Sequence, residues 1–160
     1  MPNDHSEIEL SEMSEAKSEY LSFRVAENEY SVNIMSVREI RGWTQTTSLP
    51  KAPKFVRGVI NLRGIVLPVV DLAIRLGLKS SEPQERNVII VVDVDDKTLG
   101  LRVDAVSDIL SISEDQMQPP PEIGGSDTSN FISGLTLIDD RMVRILDLSL
   151  VLPTTEEIAA

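Results

Sequence analysis

A chain of 160 residues with 41% hydrophobic and 4% aromatic residues and no cysteine reads as one small globular domain, or two very small intimate ones, with a core of Val, Ile and Leu; it excludes disulfides, thiol chemistry and thiolate metal sites. The formal charge of −11 argues against nucleic acid, whose binding rests on neutralised phosphates, and against anionic lipid, which leaves proteins or small molecules as partners. No apolar run approaches the roughly 18 residues of a membrane span, and no charged start is followed by an apolar segment, so direct membrane insertion is not expected and a cytoplasmic location is.

Residues 1–18 carry Asp4, Glu7, Glu9, Glu12 and Glu15 among several serines. Such a segment buries too little apolar surface to offset its ordering entropy, so a flexible acidic tail is expected, the alternative being a short amphipathic helix on Ile8, Leu10 and Met13. From Tyr20 the period becomes two. Leu21, Phe23 and Val25, then Tyr30, Val32 and Ile34, alternate with polar residues around a turn at Glu27–Glu29, which predicts a hairpin with one wet face. Ser36-Val-Arg-Glu39 has the spacing of a capping box and predicts a helical turn over Met35–Ile40. Trp43–Leu49 reads as extended, and Pro50 and Pro53 as a stiff loop.

Gly58–Leu72 (GVINLRGIVLPVVDL) is the centre of the pattern. Two apolar runs flank Arg63-Gly64, where a glycine lets the chain take positive φ and reverse, so a second hairpin is predicted. Pro68 cannot donate to a ladder and belongs at an edge or a bulge. Asp71 is a candidate N-cap for a short helix that stops near Gly77. Lys79–Arg86 is a polar connector and the best internal boundary; Val88–Val92 reads as a strand buried on both faces, turned back through Val94–Lys97 into Thr98–Val103. Val106–Ile112, a single turn over Ser113–Met117, three prolines, a Gly/Ser loop over Glu122–Asn130 and a last hairpin over Phe131–Asp147 complete the order, with Leu148–Leu152 before Pro153 and a short tail over 154–160.

The second half echoes the first. Gly58 to Asp71 is a spacing of 13, as is Gly134 to Asp147, and the series Tyr30, Val32, Ile34, Val37, Glu39, Ile40 recurs 69 residues on as Leu99, Leu101, Val103, Val106, Asp108, Ile109. Internal duplication follows: two units of about five short strands, an all-β chain of two small barrels sharing a core.

Catalytic chemistry finds little support. The sole histidine is His5, in the acidic tail, and no Ser-x-x-Lys lies in the domain, so nucleophile–base pairs of the usual kinds are missing. Asp93, Asp95 and Asp96 lack the Gly and Glu that a calcium loop needs at its sixth and twelfth positions, which here are Thr98 and Asp104, and read as a solvated turn. Neither a cofactor nor a metal is expected, and the chain does not read as an enzyme. The polar residues that stand out are Glu39, Arg41, Asn61 and Arg63 beside strand ends. They are read as locally satisfied, with Arg63 paired to an acid such as Glu39, or as the oriented charges of a docking surface; the two readings are compatible.

Val37-Arg-Glu-Ile-Arg-Gly42, Gly58-Val-Ile-Asn-Leu-Arg-Gly64, Leu67-Pro-Val-Val-Asp-Leu72 and Val103-Asp-Ala-Val-Ser-Asp-Ile-Leu110 together resemble the family of the chemotaxis coupling protein CheW, over about Glu19 to Pro153. The resemblance implies two five-stranded SH3-like barrels around a common hydrophobic core. It implies a non-catalytic adaptor joining methyl-accepting receptors to the regulatory domain of the histidine kinase CheA in membrane-associated arrays. The same domain occurs within CheA and in CheV, but a chain of this length has no room for a kinase core or a receiver. Positions matching receptor-linked ones are Val37, Glu39, Gly58 and Arg63, with Val88, Ile89 and Val106. A second, ring-closing kinase interface falls at Gln118 and Ile123, where the family has an Arg and a Phe; losing that charge puts ring closure in doubt. The reading from another class is a β-barrel that binds a small ligand, or acts as an enzyme, in its inter-barrel groove.

Overall fold

The computed structural model describes residues 17–120 and 131–153. Ten strands, β1 (Lys17–Val25), β2 (Asn28–Asn33), β3 (Val37–Gly42), β4 (Val56–Leu62), β5 (Ile65–Asp71), β6 (Val88–Val94), β7 (Lys97–Val103), β8 (Ala105–Ser113), β9 (Ile132–Ile138) and β10 (Arg141–Leu146), alternate with 3-10 turns and two one-turn helices, α1 (Leu72–Arg75) and α2 (Leu148–Val151). They form two five-stranded sheets, ordered β8-β1-β2-β10-β9 and β3-β6-β7-β5-β4.

Neither sheet is built from one half of the chain. The first joins the β1–β2 hairpin to β8, β9 and β10 of the second repeat, and the second joins the β6–β7 hairpin to β3, β4 and β5 of the first. The repeats have exchanged their leading hairpins, so the polar connector at Lys79–Arg86 divides the repeats without dividing the sheets. The duplication is visible in the register itself. Tyr20 pairs with Asn33 as Ile89 pairs with Arg102, Ile145 pairs with Ser31 as Val69 pairs with Gly100, and both hairpins β4–β5 and β9–β10 carry an irregularity at the same place, at Arg57 in one and Ser133 in the other.

Each sheet closes on itself through the chain that leaves its first strand: Thr47, beyond β3, bridges to Val59 of β4, and Gln118, beyond β8, bridges to Leu135 of β9. Closure removes the open edges that would otherwise template aggregation. Inside the second barrel lie Ile60, Leu62, Leu67, Val69, Ile89 and Val91, and inside the first Tyr20, Leu110, Ile112, Val143 and Ile145. A third and larger cluster, including Phe23, Tyr30, Val70, Leu72, Leu76, Val92, Leu101 and Val151, draws on both barrels and forms their common core. Arg75 staples this junction. Its guanidinium lies 4.2 Å from the Phe55 ring centroid and 5.2 Å from that of Phe131, and it donates to the carbonyls of Leu150, Val151 and Leu152.

The four two-residue hairpin turns, Ala26-Glu27, Arg63-Gly64, Asp95-Asp96 and Asp139-Asp140, all have both residues at positive φ, the type I′ geometry that matches strand twist. The first falls one residue earlier than the predicted Glu27–Glu29 turn. Asp71 caps α1 as expected, accepting from the Ala73 N–H at 3.1 Å, and Asp147 caps α2 in the same way through Ser149 at 3.0 Å. Pro68 lies in an interior strand, at the point just before pairing with β7 begins at Val69.

Two expectations are corrected. The capping-box turn over Met35–Ile40 does not form. A 3-10 turn over Ile34–Ser36 is capped instead by Asn33, whose Oδ1 accepts from Met35 N–H at 2.9 Å, and Glu39 sits within β3. The reciprocal bond of a capping box occurs at Ser113, whose N–H donates to Gln116 Oε1 at 2.9 Å. Within the presumed tail, Lys17 and Ser18 belong to β1, paired with Ser113 and Ile112; its other residues lie outside the described ones, as do 154–160 and the whole of the Gly/Ser loop.

Candidate functional site

β3 and β4 are the two outer strands of the second sheet, and the seam where they meet carries the polar residues singled out in the sequence. Period-two alternation puts Glu39 and Arg41 on the less exposed face of β3, paired with Val91 and Ile89 of β6, and the β4–β5 turn brings Arg63 to Glu39 from the other side of the seam. Arg63 Nη2 donates to Glu39 Oε2 at 2.6 Å, and Arg41 Nη1 donates to Glu39 Oε1 at 3.1 Å. Both carboxylate oxygens are thus engaged by guanidinium groups. These bonds, Arg63 first, hold the Glu39 carboxyl below its usual range. Arg63 remains two-thirds exposed at 67% against 25% for Glu39, so the guanidinium is fixed yet presented to solvent. Asn61 is locally satisfied, its Oδ1 accepting from Gly64 N–H at 2.8 Å.

Gly58 lies at the same seam. Its φ is +144°, and a Cβ there would stand 2.3 Å from the Thr47 carbonyl oxygen. Only glycine admits the bridging backbone at that distance. Val37, Val88 and Val106 are half-buried and all pack against the common core, although Val106 belongs to the other sheet. They therefore mark the junction between the barrels, while Glu39, Gly58 and Arg63 mark the seam beside it. Ile89 is corrected as a contact residue. It is fully buried inside the second barrel, so its side chain can shape the surface but not touch a partner. Gln118 is exposed, with its backbone engaged in the bridge to Leu135, and Ile123 lies outside the described residues.

Sequence reasoning missed the apolar companions of the ion pair. Ile40, beside Glu39, is 48% exposed, and Ile65 and Val66, next to the Arg63 turn, are 54% and 64% exposed. The signal was the alternation itself: with Leu67 and Val69 inside the barrel, Val66 must face out. The exposed Arg63 guanidinium, with Ile65 and Val66 exposed directly after its turn, offers a charge beside branched apolar side chains, a surface suited to an apolar protein face.

A second polar constellation, also missed, is buried. Asp71 Oδ2 accepts from Arg57 Nε at 2.8 Å, Arg102 Nη1 at 3.2 Å and Ser80 Oγ at 2.7 Å, and Arg102 reaches Asn87 Oδ1 at 2.9 Å. Arg102 and Asp71 are almost wholly inaccessible. The network ties the connector, through Ser80 and Asn87, onto the second barrel, and its enclosure marks it as structural; within it Arg102 Nε is buried without a partner. An arginine between Leu101 and Val103 in an apolar strand was its one trace in the sequence. Among the described residues no group of acids, His or Cys could hold a metal ion, and no helix is long and apolar enough to cross a membrane.

Comparison with known proteins agrees with this architecture. The CheW-like domain family matches residues 19–156. The chain is 51% identical over 142 residues to "Chemotaxis protein CheW" of Rhizobium meliloti (strain 1021), covering 89% of this chain and 92% of that one. It is 48% identical over 148 residues to "Probable chemotaxis protein CheW" of Rhizobium etli, covering 92% and 96%. Among solved structures, the scaffolding protein TtCheW from Thermoanaerobacter tengcongensis is similar with a TM-score of 0.80 at 33% identity, covering 87% of this chain and 94% of that one.

Proposed function

The chain belongs to the CheW-like family of chemotaxis proteins, and from that membership we propose that it is a non-catalytic cytoplasmic adaptor that couples methyl-accepting receptors to the histidine kinase CheA in membrane-associated arrays. The observation that carries the reading is the seam of the second barrel: a guanidinium fixed by Glu39, exposed to solvent, with Ile40, Ile65 and Val66 exposed in the chain beside it. Val37, Glu39, Gly58, Arg63, Val88 and Val106 form or support the receptor-facing surface, and Ile89 acts on it from within the barrel. A helical receptor tip would lay an apolar face on such a surface, and the fixed Arg63 sets its orientation at little entropic cost. Gln118 and Ile123 stand as the ring-facing positions. Interfaces of this kind are modest alone and gain strength from array multivalency.

Calorimetry of this protein against the regulatory domain of the CheA encoded in the same genome tests the reading. Saturable one-to-one binding that Arg63→Glu leaves intact, together with loss of receptor capture by the same folded variant, is expected. No binding to the kinase domain, or receptor capture undiminished in Arg63→Glu, would overturn it.

A further inference from the structure

The duplication supplies an internal control for a pocket that the adaptor reading does not use. Where the β6–β7 turn meets the start of α2, a cavity of about 430 Å³ is lined by Asn33, Asp93, Asp95, Ser133, Asp147 and Ser149 among others. By strand register its centre is the counterpart of the buried Asp71 network: Asp147 stands where Asp71 does, each accepting from the N–H two residues on. The surroundings differ. Arg57, at the hairpin irregularity, is matched by Ser133, and Arg102, opposite Ile89, is matched by Asn33, opposite Tyr20. Both guanidinium side chains that fill the space around Asp71 are therefore missing around Asp147, and the cavity occupies their place. Moreover, Arg24, paired with Glu29 in β2, is matched by Asp93, paired with Thr98 in β7, so a basic position has become acidic.

We propose that this pocket is a binding site for a guanidinium group, the side chain of an arginine presented by a partner protein. The same molecule shows what a carboxylate in this frame binds: Asp71 Oδ2 accepts from two arginines at 2.8 and 3.2 Å. Asp147 Oδ1 is held by the Ser149 N–H, and Oδ2 has no partner among the described residues. Ser133 Oγ donates to the Ile145 carbonyl at 3.3 Å, and Asp93 is bonded to Thr98 and Arg38, so the walls are ordered by bonds of their own. The carboxylates do not converge tightly enough to hold a metal ion. A planar cation with several donors suits such a spread of acceptors better than a point charge does. A side chain from a protein is favoured over free arginine, whose own carboxylate would be repelled by Asp93, Asp95 and Asp147.

The site assumes nothing about receptor or kinase. The test is a titration of the 15N-labelled full chain with the blocked peptide acetyl-Gly-Arg-Gly-amide, its lysine counterpart and free L-arginine, at constant ionic strength. The arginine peptide should shift the amides of Asn33, Ser133, Asp147 and Ser149 saturably, with the lysine peptide and free arginine several-fold weaker. Asp147→Asn, which keeps the cap acceptor, should weaken the arginine peptide about tenfold. Ser133→Arg should fill the pocket from within, abolishing the shifts and raising the Tm. Equal response to both peptides, tighter binding of free arginine, undiminished binding by Asp147→Asn, or binding retained in Ser133→Arg with a lowered Tm would each overturn the proposal.

Discussion

Gly58 and Thr47 meet more closely than any side chain would permit: a Cβ on Gly58 would fall 2.3 Å from the Thr47 carbonyl oxygen, whereas at the equivalent Gly134 it would stand 3.3 Å from that of Gln118. The two seams are therefore unequal in tolerance. Gly58→Ala should destabilise by on the order of 3 kcal/mol, combining strain at positive φ with displacement of the bridge. Gly134→Ala should cost about 1 kcal/mol or less. Urea melts of the two variants check the contrast, and comparable losses would contradict it.

Arg102 and Asp71 form an ion pair with almost no exposure on either side. Arg102→Met leaves a buried carboxylate with only Arg57, Ser80 and the Ala73 N–H, and should cost about 3 kcal/mol. Arg57→Met should cost less, because the Arg57 side chain is 23% exposed and its loss is partly offset by water. Thermal denaturation orders the two.

The Glu39 carboxyl is held below its ordinary value of 4.5, first by the Arg63 bond and then by Arg41. A depressed carboxylate contributes stability that is present above the unfolded value and is lost as pH falls through the folded one. The seam pair therefore persists at neutral and mildly acidic pH and fails only below about 4.5. Receptor capture should be flat from pH 7 to 5 as far as this group is concerned. A 13C titration of the Glu39 carboxyl should place its midpoint below that of Glu39 in the Arg63→Ala variant.

Asp139 and Asp140 turn the last hairpin at φ of 51° and 64°, a conformation that costs residues with a Cβ. Replacing them by Asn-Gly should raise stability by about 1 kcal/mol without altering partner binding. A drop in Tm would show that one of the carboxylates has a role of its own.

The hairpins and the duplication were legible because they are local or periodic: Leu21, Phe23 and Val25 alternate, and each Gly-to-Asp spacing returns. Ser36 and Glu39 misled because the same spacing serves a strand that begins at Val37, and Asn33 was the stronger cap. The exchange of hairpins was not legible, since a register between β1 and β8 leaves no mark in either segment alone. Glu39 and Arg63 could be paired by charge, but that their strands close a barrel depends on Thr47 reaching Val59. Ile89 shows the opposite tension: the apolar run around it predicts burial, the resemblance predicts contact, and packing inside the barrel settles the first.

The exchange of leading hairpins has a consequence for how such a protein comes apart and how it arose. Neither half of the chain holds a complete sheet, so neither barrel can melt while the other survives, and loss of one strand pair spreads to both. Two copies of a single ancestral half, trading hairpins about a two-fold axis, would complete the same two sheets; the present chain has the topology of that dimer made covalent. Halves cut within Lys79–Arg86 and mixed should accordingly refold together, each remaining unstructured without the other.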